Sequence, residues 1–324
     1  MPHLNRLDFC RQAWQNLTKP THPPAGGRMH TSLPNPNPKV AAIHDLSGFG
    51  RASLTIAIPV LSVMGFQVCP LPTAVLSSQT TGVPDFRFVD LTDAMPGFLD
   101  HWRDLGLRFE AVYSGFLGSP AQAEIVARCI DSCLRPGGLA VVDPVLGDNG
   151  KLDPTMTPEM VEALRWLVGK AHCITPNITE AAFLLGEDFP ENGLDAESLK
   201  EWMLRLADTG PEMVVITSAP LRGFDAFSVT VAYNRNQGRF WKTVRTQIPV
   251  FYPGTGDTFA SVLTGGLLQG DSLPAAVDRA AQFVATGIRA TCGHDLPGRD
   301  GILLERVLHT LHTPMTDYTY TILD

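Results

Sequence analysis

The sequence predicts an α/β fold with a central, mostly parallel sheet covered by helices on both faces. Two observations carry this expectation. From Lys39 onward, short apolar runs closed by polar or glycine-containing turns alternate with helical patterns. The chain also has 324 residues, 44 % of them hydrophobic, enough for one large domain with a buried core.

The first apolar run is Val40–His44, which ends in a glycine turn. A helix is expected over Ser53–Met64 and the next strand over Phe66–Leu71. Four further strands are expected at Phe109–Ser114, Leu139–Asp143, Ala171–Thr175 and Met213–Thr217. Helical patterns fall between them at 93–105, 119–134, 158–169 and 196–207. Runs that are apolar throughout, rather than alternating, suit parallel strands buried on both faces. Ala226–Tyr233 and Arg239–Gln247 are joined by a short polar stretch ending in glycine, which predicts a hairpin. Helices return at 257–269 and 273–291.

Residues 1–38 have a different texture. Pro20, Pro23, Pro24, Pro34, Pro36 and Pro38 are interleaved with small and polar residues, so the segment is expected to be mobile. Leu4, Leu7, Phe9, Trp14 and Leu17 could instead make a short docking helix, and Met29 is an alternative start. One domain is expected over 39–313, with a tail at 314–324.

The net charge of −8 and pI of about 5.6 argue against a nucleic-acid surface. No run of 18 apolar residues is present, and Asp8, Arg11 and Gln12 interrupt any signal-peptide core, so a cytoplasmic protein without membrane contact is expected. The six cysteines form no Cys-x-x-Cys pair and read as free thiols of a reducing compartment. His44 and His172 stand at strand edges and are expected to be satisfied polar residues.

In open α/β sheets, ligands lie beyond the carboxyl ends of the strands. The polar or aromatic residues just after each run are Asp45, Ser47, Thr80, Phe116, Asp143, Asp148, Asn177, Glu180, Thr217 and Ser218. All are expected on one edge of the sheet. Asn177 and Glu180 are three apart at a strand-to-helix turn and can face one site. The same spacing equally describes a helix cap with a first-turn acid.

The strongest motif is Pro253-Gly254-Thr255-Gly256-Asp257, which opens a helix. Glycines allow close backbone approach, and the first-turn amides with the helix dipole favour an anion. Asp257 sits where a carboxylate could accept a hydroxyl proton beside a held phosphoryl group. Taken alone, the motif is also an ordinary helix start with an acidic first turn.

Gly254-Thr255-Gly256-Asp257 resembles the signature of ribokinase-like kinases. Within that superfamily, residues from about Val40 to Thr291 resemble the pyridoxal and pyridoxamine (vitamin B6) kinases. The matching segments are Ser114–Ser119, Asp143–Asp148, Ile174–Glu180 and Val215–Ser218. The resemblance implies a three-layer fold and a homodimer. It also implies ATP-dependent phosphorylation of a ring hydroxymethyl group.

It makes Asp257 the general base and Gly254, Thr255 and Gly256 the anion hole. Asp143, Asp148, Thr175, Asn177, Glu180, Thr217 and Ser218 fall to ATP, and Asp143 and Glu180 to Mg2+. A monovalent cation such as K+ is left open. The acceptor pocket would be Asp45, Ser47, Thr80 and Phe116. Phe116 stands where the family often has tyrosine, Asp45 where one branch has serine, and Ser78-Gln79 where Asn-His is commoner.

Other readings are weaker. Asp45–Gly48 also resembles hydroxymethylpyrimidine kinases, the alternative within the class. Gly48-x-Gly50-x-x-Ser53 lacks the third glycine of a dinucleotide turn, which weakens a nicotinamide oxidoreductase. No Walker-type loop occurs. A non-catalytic nucleotide or B6 binder would have no need for the intact Gly-x-Gly-Asp.

Overall fold

The computed structural model describes residues 37–313, 315 and 317–324. The expectations for a mobile N-terminal segment, a docking helix and a start at Met29 fall on residues outside this range, apart from Asn37 and Pro38.

In chain order the strands are β1 (Lys39–Ser47), β2 (Gln67–Leu76), β3 (Phe88–Asp90), β4 (Phe109–Ser114), β5 (Leu134–Val142), β6 (Gly147–Asp148), β7 (Lys151–Leu152), β8 (Cys173–Ile174), β9 (Met213–Ile216), β10 (Phe227–Asn234), β11 (Arg239–Thr246) and β12 (Thr321–Ile322). The helices are α1 (Leu54–Val63), α2 (Met95–Asp104), α3 (Pro120–Cys133), α4 (Pro158–Val168), α5 (Ile178–Leu185), α6 (Ala196–Asp208), α7 (Thr255–Gln269), α8 (Leu273–Thr291) and the single turn α9 (Leu304–Val307).

Ten strands form one sheet in the order β12-β11-β10-β9-β8-β5-β4-β1-β2-β3. The pairs from β9 through β8, β5, β4 and β1 to β2 are parallel, and both edges are antiparallel. The chain runs from β1 out to β2 and then crosses back to β4 on the other side of β1. That reversal opens a crevice at the carboxyl ends of β1 and β4.

Period-two alternation divides the apolar strands between two cores. Ala41 and Ile43 of β1 join Val112 and Val142 in a core covered by α2 to α6. Val40 and Ala42 join Tyr113 and Val141 in a second core under α1, α7, α8 and α9. Helix starts follow from local chemistry. Thr157 caps α4 by accepting from Met160 N–H, and Asp195 caps α6 by accepting from Ser198 N–H.

The expected elements are present with shifted ends. Strand β5 begins at Leu134, directly after α3, and β8 is only two residues long. Strand β3 has no buried residue, and the β6–β7 hairpin has two residues a side, so neither carries a usable pattern. The residues expected as a tail include β12, which pairs with Trp241 and Lys242 of β11, and Leu323 is buried. Cys129, Cys133 and Cys173 are buried thiols, Cys69 is half-buried and Cys292 is exposed.

The two histidines part ways. His172 Nδ1 accepts from Ala140 N–H at 2.9 Å, as a satisfied strand-edge residue should. His44 is fully buried, and neither ring nitrogen has a hydrogen-bond partner among the described residues. Burial lowers its pKa to about 3, so the ring is neutral and packs edge-on against Tyr113 at 4.3 Å. A Cβ at position 115 would lie 2.3 Å from His44 Nδ1, which is why the chain has glycine there.

Candidate active site

Every residue that the sequence places in the acceptor, nucleotide or catalytic set lines one cleft of about 1270 Å³ at the carboxyl edge of the sheet. These are Asp45, Ser47, Thr80 and Phe116; Asp143, Asp148, Thr175, Asn177, Glu180, Thr217 and Ser218; and Gly254, Thr255, Gly256 and Asp257.

Helix α7 supplies the centre. Its N-cap, Gly254, has φ of 79°, a left-handed conformation that penalises any other residue. A Cβ there would also lie 2.2 Å from the Arg51 carbonyl oxygen. Gly256 is different: a Cβ on it would meet nothing within 4 Å, so its backbone faces open cleft. The amides of Thr255, Gly256 and Asp257 have no intrahelical acceptor, as in any first turn, and the helix dipole points the same way.

Asp257 Oδ2 accepts from Ser53 N–H at 3.0 Å. Burial pushes this carboxyl up to about 7, opposed by the Ser53 amide and reinforced by Asp143 and Asp45. A carboxylate tuned near neutrality can take a proton at physiological pH. Ser53 was not anticipated. It has φ of 53° and ψ of −124°, a strained conformation for a side-chain-bearing residue, and that geometry aims its amide at Asp257. The sequence marks it only as a turn residue at a helix start, and its residue type gives no sign of this backbone role.

Asp143 follows β5. Its Oδ1 accepts from Thr175 Oγ1 at 2.8 Å, and burial raises its pKa to about 6. Asn177 and Glu180 form a reciprocal capping box on α5. Asn177 Oδ1 accepts from Glu180 N–H at 2.9 Å, and Glu180 Oε2 accepts from Asn177 N–H at 2.8 Å. The cap reading of this spacing is therefore present in the structure. The pair also reaches further. Glu180 Oε1 accepts from Leu146 N–H at 3.1 Å, and Asn177 Nδ2 donates to the Gly147 carbonyl at 2.9 Å. Both side chains thereby tie the Asp143–Asp148 loop to α5. Burial, then the Asp143 carboxylate, lifts the Glu180 pKa well above its ordinary range.

Asp143 and Glu180 are both buried carboxylates with raised pKa values, Glu180 in part through the Asp143 charge, and such a pair is a natural seat for a divalent cation. The donors are all oxygen, and each carboxylate keeps lone pairs beyond those already used. The residues present thus fit magnesium carried on a phosphate chain. Asp148 is exposed, with Oδ1 accepting from Asn149 N–H. Thr217 bridges to Asn177 in the sheet, and Ser218 has φ of 48°.

At the β1–β4 crevice, Asp45 is buried, its Oδ2 accepting from Ser47 Oγ at 2.9 Å. Burial raises its pKa, opposed by the Ser53 and Ser47 hydroxyls. Asp45 is therefore part of the 45–53 turn as well as of the cleft. Phe116 forms a wall, and its carbonyl accepts from Thr73 Oγ1 at 3.0 Å. Gln79, also buried, donates from Nε2 to the Thr81 carbonyl at 2.5 Å and to the Arg299 carbonyl at 2.9 Å. It holds the Thr80 loop against the segment after α8.

Residues 55–297 match the family model for phosphomethylpyrimidine kinase. A protein of Bacteroides thetaiotaomicron described as a phosphomethylpyrimidine kinase, crystallised in an orthorhombic form with pyridoxal, is 51 % identical, with a TM-score of 0.85 over 88 % of this chain and 99 % of that one. Pyridoxal kinase from Lactobacillus plantarum is 30 % identical, with a TM-score of 0.77 over 85 % of this chain and 96 % of its own. A pyridoxine/pyridoxal/pyridoxamine kinase of Bordetella bronchiseptica is 30 % identical across 282 residues, 81 % of this chain and 95 % of that protein.

Proposed function

The chain belongs to the phosphomethylpyrimidine kinase family and, within the ribokinase-like superfamily, to its vitamin B6 kinases, and from that premise we propose that it transfers the terminal phosphoryl group of ATP to the hydroxymethyl group of pyridoxal, pyridoxamine or pyridoxine. The observation that carries this reading is the placement of Asp257. Its carboxyl group is held by Ser53 at the start of a glycine-opened helix, in one cleft with the Asp143–Glu180 carboxylates and the Asp45–Phe116 crevice.

In this reading the acceptor ring packs on Phe116 with its hydroxymethyl group toward Asp257. Asp257 takes the hydroxyl proton as that oxygen attacks the terminal phosphorus, and the bond to the bridging oxygen breaks to release ADP. The amides of Thr255, Gly256 and Asp257 receive the charge on the transferring group. Magnesium, with its waters, would be held by Asp143 and Glu180 and would neutralise phosphate charge.

A coupled assay of ADP release across the three vitamers and hydroxymethylpyrimidine tests the substrate. Turnover of a vitamer is expected. Turnover of hydroxymethylpyrimidine alone would favour the second reading, which the name of the matching family model supports. ADP or vitamer binding without turnover would favour a non-catalytic binder.

Glu180→Gln should raise the magnesium concentration needed for half-maximal rate, with ATP saturating. It keeps the side chain's size and one of its two acceptor positions but removes the charge, so the melting temperature is read alongside. Full activity of the unsubstituted chain in excess chelator would discard the metal role.

Asp45 is assigned to the acceptor ring, where a carboxylate can accept a charge-assisted bond from a protonated ring nitrogen. Asp45→Ala should weaken acceptor binding by roughly 1.5–3 kcal/mol, the worth of a hydrogen bond to a charged group. The KM for ATP should stay put. Asp45 also accepts from Ser47, so the melting temperature must be read alongside. A fall in melting temperature with unchanged acceptor affinity would leave Asp45 as a turn residue only.

We further place the enzyme in the cytoplasm as a homodimer. Among the described residues no helix is long and apolar enough to cross a membrane. For the dimer the support is a row of exposed apolar side chains, Leu46, Val75 and Val89, set side by side by the β1–β2 and β2–β3 registers. Sedimentation of the purified chain checks it.

A further inference from the structure

Helix α8 carries a carboxylate that no step above uses. Asp278 is completely buried. Its Oδ1 accepts from Arg245 Nη2 at 2.8 Å and from Thr319 Oγ1 at 2.8 Å, and its Oδ2 accepts from Thr319 N–H at 2.7 Å. A buried carboxylate needs such partners, and here they come from two separate places: the end of β11 and the segment leading into β12.

Arg245 lines the cleft. It stands near the carboxyl end of β11, opposite Ser228 of β10, which lines the cleft too. Its Nε is buried without a hydrogen-bond partner among the described residues. Guanidinium presents five N–H donors in a rigid planar fork, so the bond to Asp278 fixes where the others point. Ala281, Val284 and Ile288 of α8 line the cleft as well and offer an apolar wall of the kind a planar base packs on.

We infer that Arg245 is a nucleotide-binding side chain donating to the base–ribose end of ATP and ADP, and that Asp278 and Thr319 are positioning residues that hold its fork. The C-terminal segment thereby forms part of the nucleotide site. This rests on the ATP-dependent activity proposed above. The Arg245–Asp278 pair is close to neutral as a unit, so Arg245 contributes directed donors rather than attraction of phosphate charge.

Calorimetric titration of the full chain with ADP, without acceptor, tests this. Arg245→Met is expected to weaken ADP about tenfold or more, the loss of a charge-assisted hydrogen bond. Arg245→Lys should recover only part, because lysine has no fork. Thr319→Val should weaken ADP severalfold in the otherwise unsubstituted chain and add nothing in the Arg245→Met background. The KM for the acceptor should not move in any of them.

ADP affinity unchanged within twofold in Arg245→Met overturns the binding role. An equal loss from Thr319→Val in both backgrounds overturns the positioning role. Should Arg245→Met fail to fold, Arg245→Lys carries the test, and undiminished affinity there overturns the inference. Failure of the unsubstituted chain to bind ADP would overturn this inference and the proposed activity together, whereas binding that Arg245→Met retains overturns this inference alone.

Discussion

Asp257→Asn should lower turnover by on the order of 10²–10⁴, the usual worth of a positioned general base. The amide side chain can still accept from Ser53 N–H, so the helix start and its first-turn amides keep their geometry. ADP affinity should therefore hardly change. The pH profile gives a second readout. In the free protein the Asp257 carboxyl titrates at about 7. Below that pH it is protonated and cannot accept the hydroxyl proton, so kcat/KM for the acceptor should fall as pH drops through neutrality. The residual activity of Asp257→Asn should lose this limb. A variant with near-normal turnover, or one that keeps the acid limb unchanged, would remove Asp257 from the role of base.

Substitution of the two glycines before Asp257 should separate fold from chemistry. Gly254→Ala places a Cβ at a left-handed φ and against the Arg51 carbonyl. The left-handed conformation alone costs about 1–2 kcal/mol, and displacing a backbone carbonyl adds on the order of 1–3 kcal/mol. Both the melting temperature and turnover should drop, because the N-cap cannot move without moving the first-turn amides. Gly256→Ala is the counterpart. It lies within the helix, where alanine is favoured by about 1 kcal/mol, and its Cβ meets no protein atom within 4 Å. The melting temperature should hold or rise while turnover falls at least tenfold, since the methyl group fills space that an approaching phosphoryl group needs. Calorimetric melting and a turnover assay on the two variants decide the matter. Unimpaired turnover in Gly256→Ala would place the phosphoryl group elsewhere.

The sheet could be read from the chain because its strands are short, apolar and separated by amphipathic helices, so burial on both faces leaves a plain pattern. The converging edge could be read for the same reason: residues just after such runs have only one place to go. What stayed hidden depends on three-dimensional detail that residue type does not encode. Ser53 acts through its main chain, and serine is not the residue that a left-handed φ suggests. Arg245 and Asp278 look like ordinary charged residues on a strand and a helix until the fold pairs them across 33 positions. His44 reads as a polar strand-edge residue, yet the tight approach of Gly115 and the Tyr113 ring enclose it completely. The Asn177–Glu180 pair was open between cap and ligand, and the cap hydrogen bonds are made while both side chains still face the cleft.

The division of the apolar residues into two cores has a mechanical consequence. Asp257 and the first-turn amides proposed to bind the phosphoryl group ride on α7, which is anchored in the core under α1 and α8. Asn177 and Glu180 ride on α5, anchored in the core on the opposite face of the sheet. The two halves of the proposed reacting constellation are thus fastened to separate packing layers with the sheet as a stiff plate between them. A change of volume in one layer alone, far from the cleft, translates its half of the constellation against the other. Misplacement by about 1 Å can cost about a hundredfold in rate. On the proposed mechanism, turnover should therefore respond to the balance of packing across the plate, and compensating changes on both faces should preserve the alignment that one-sided changes lose.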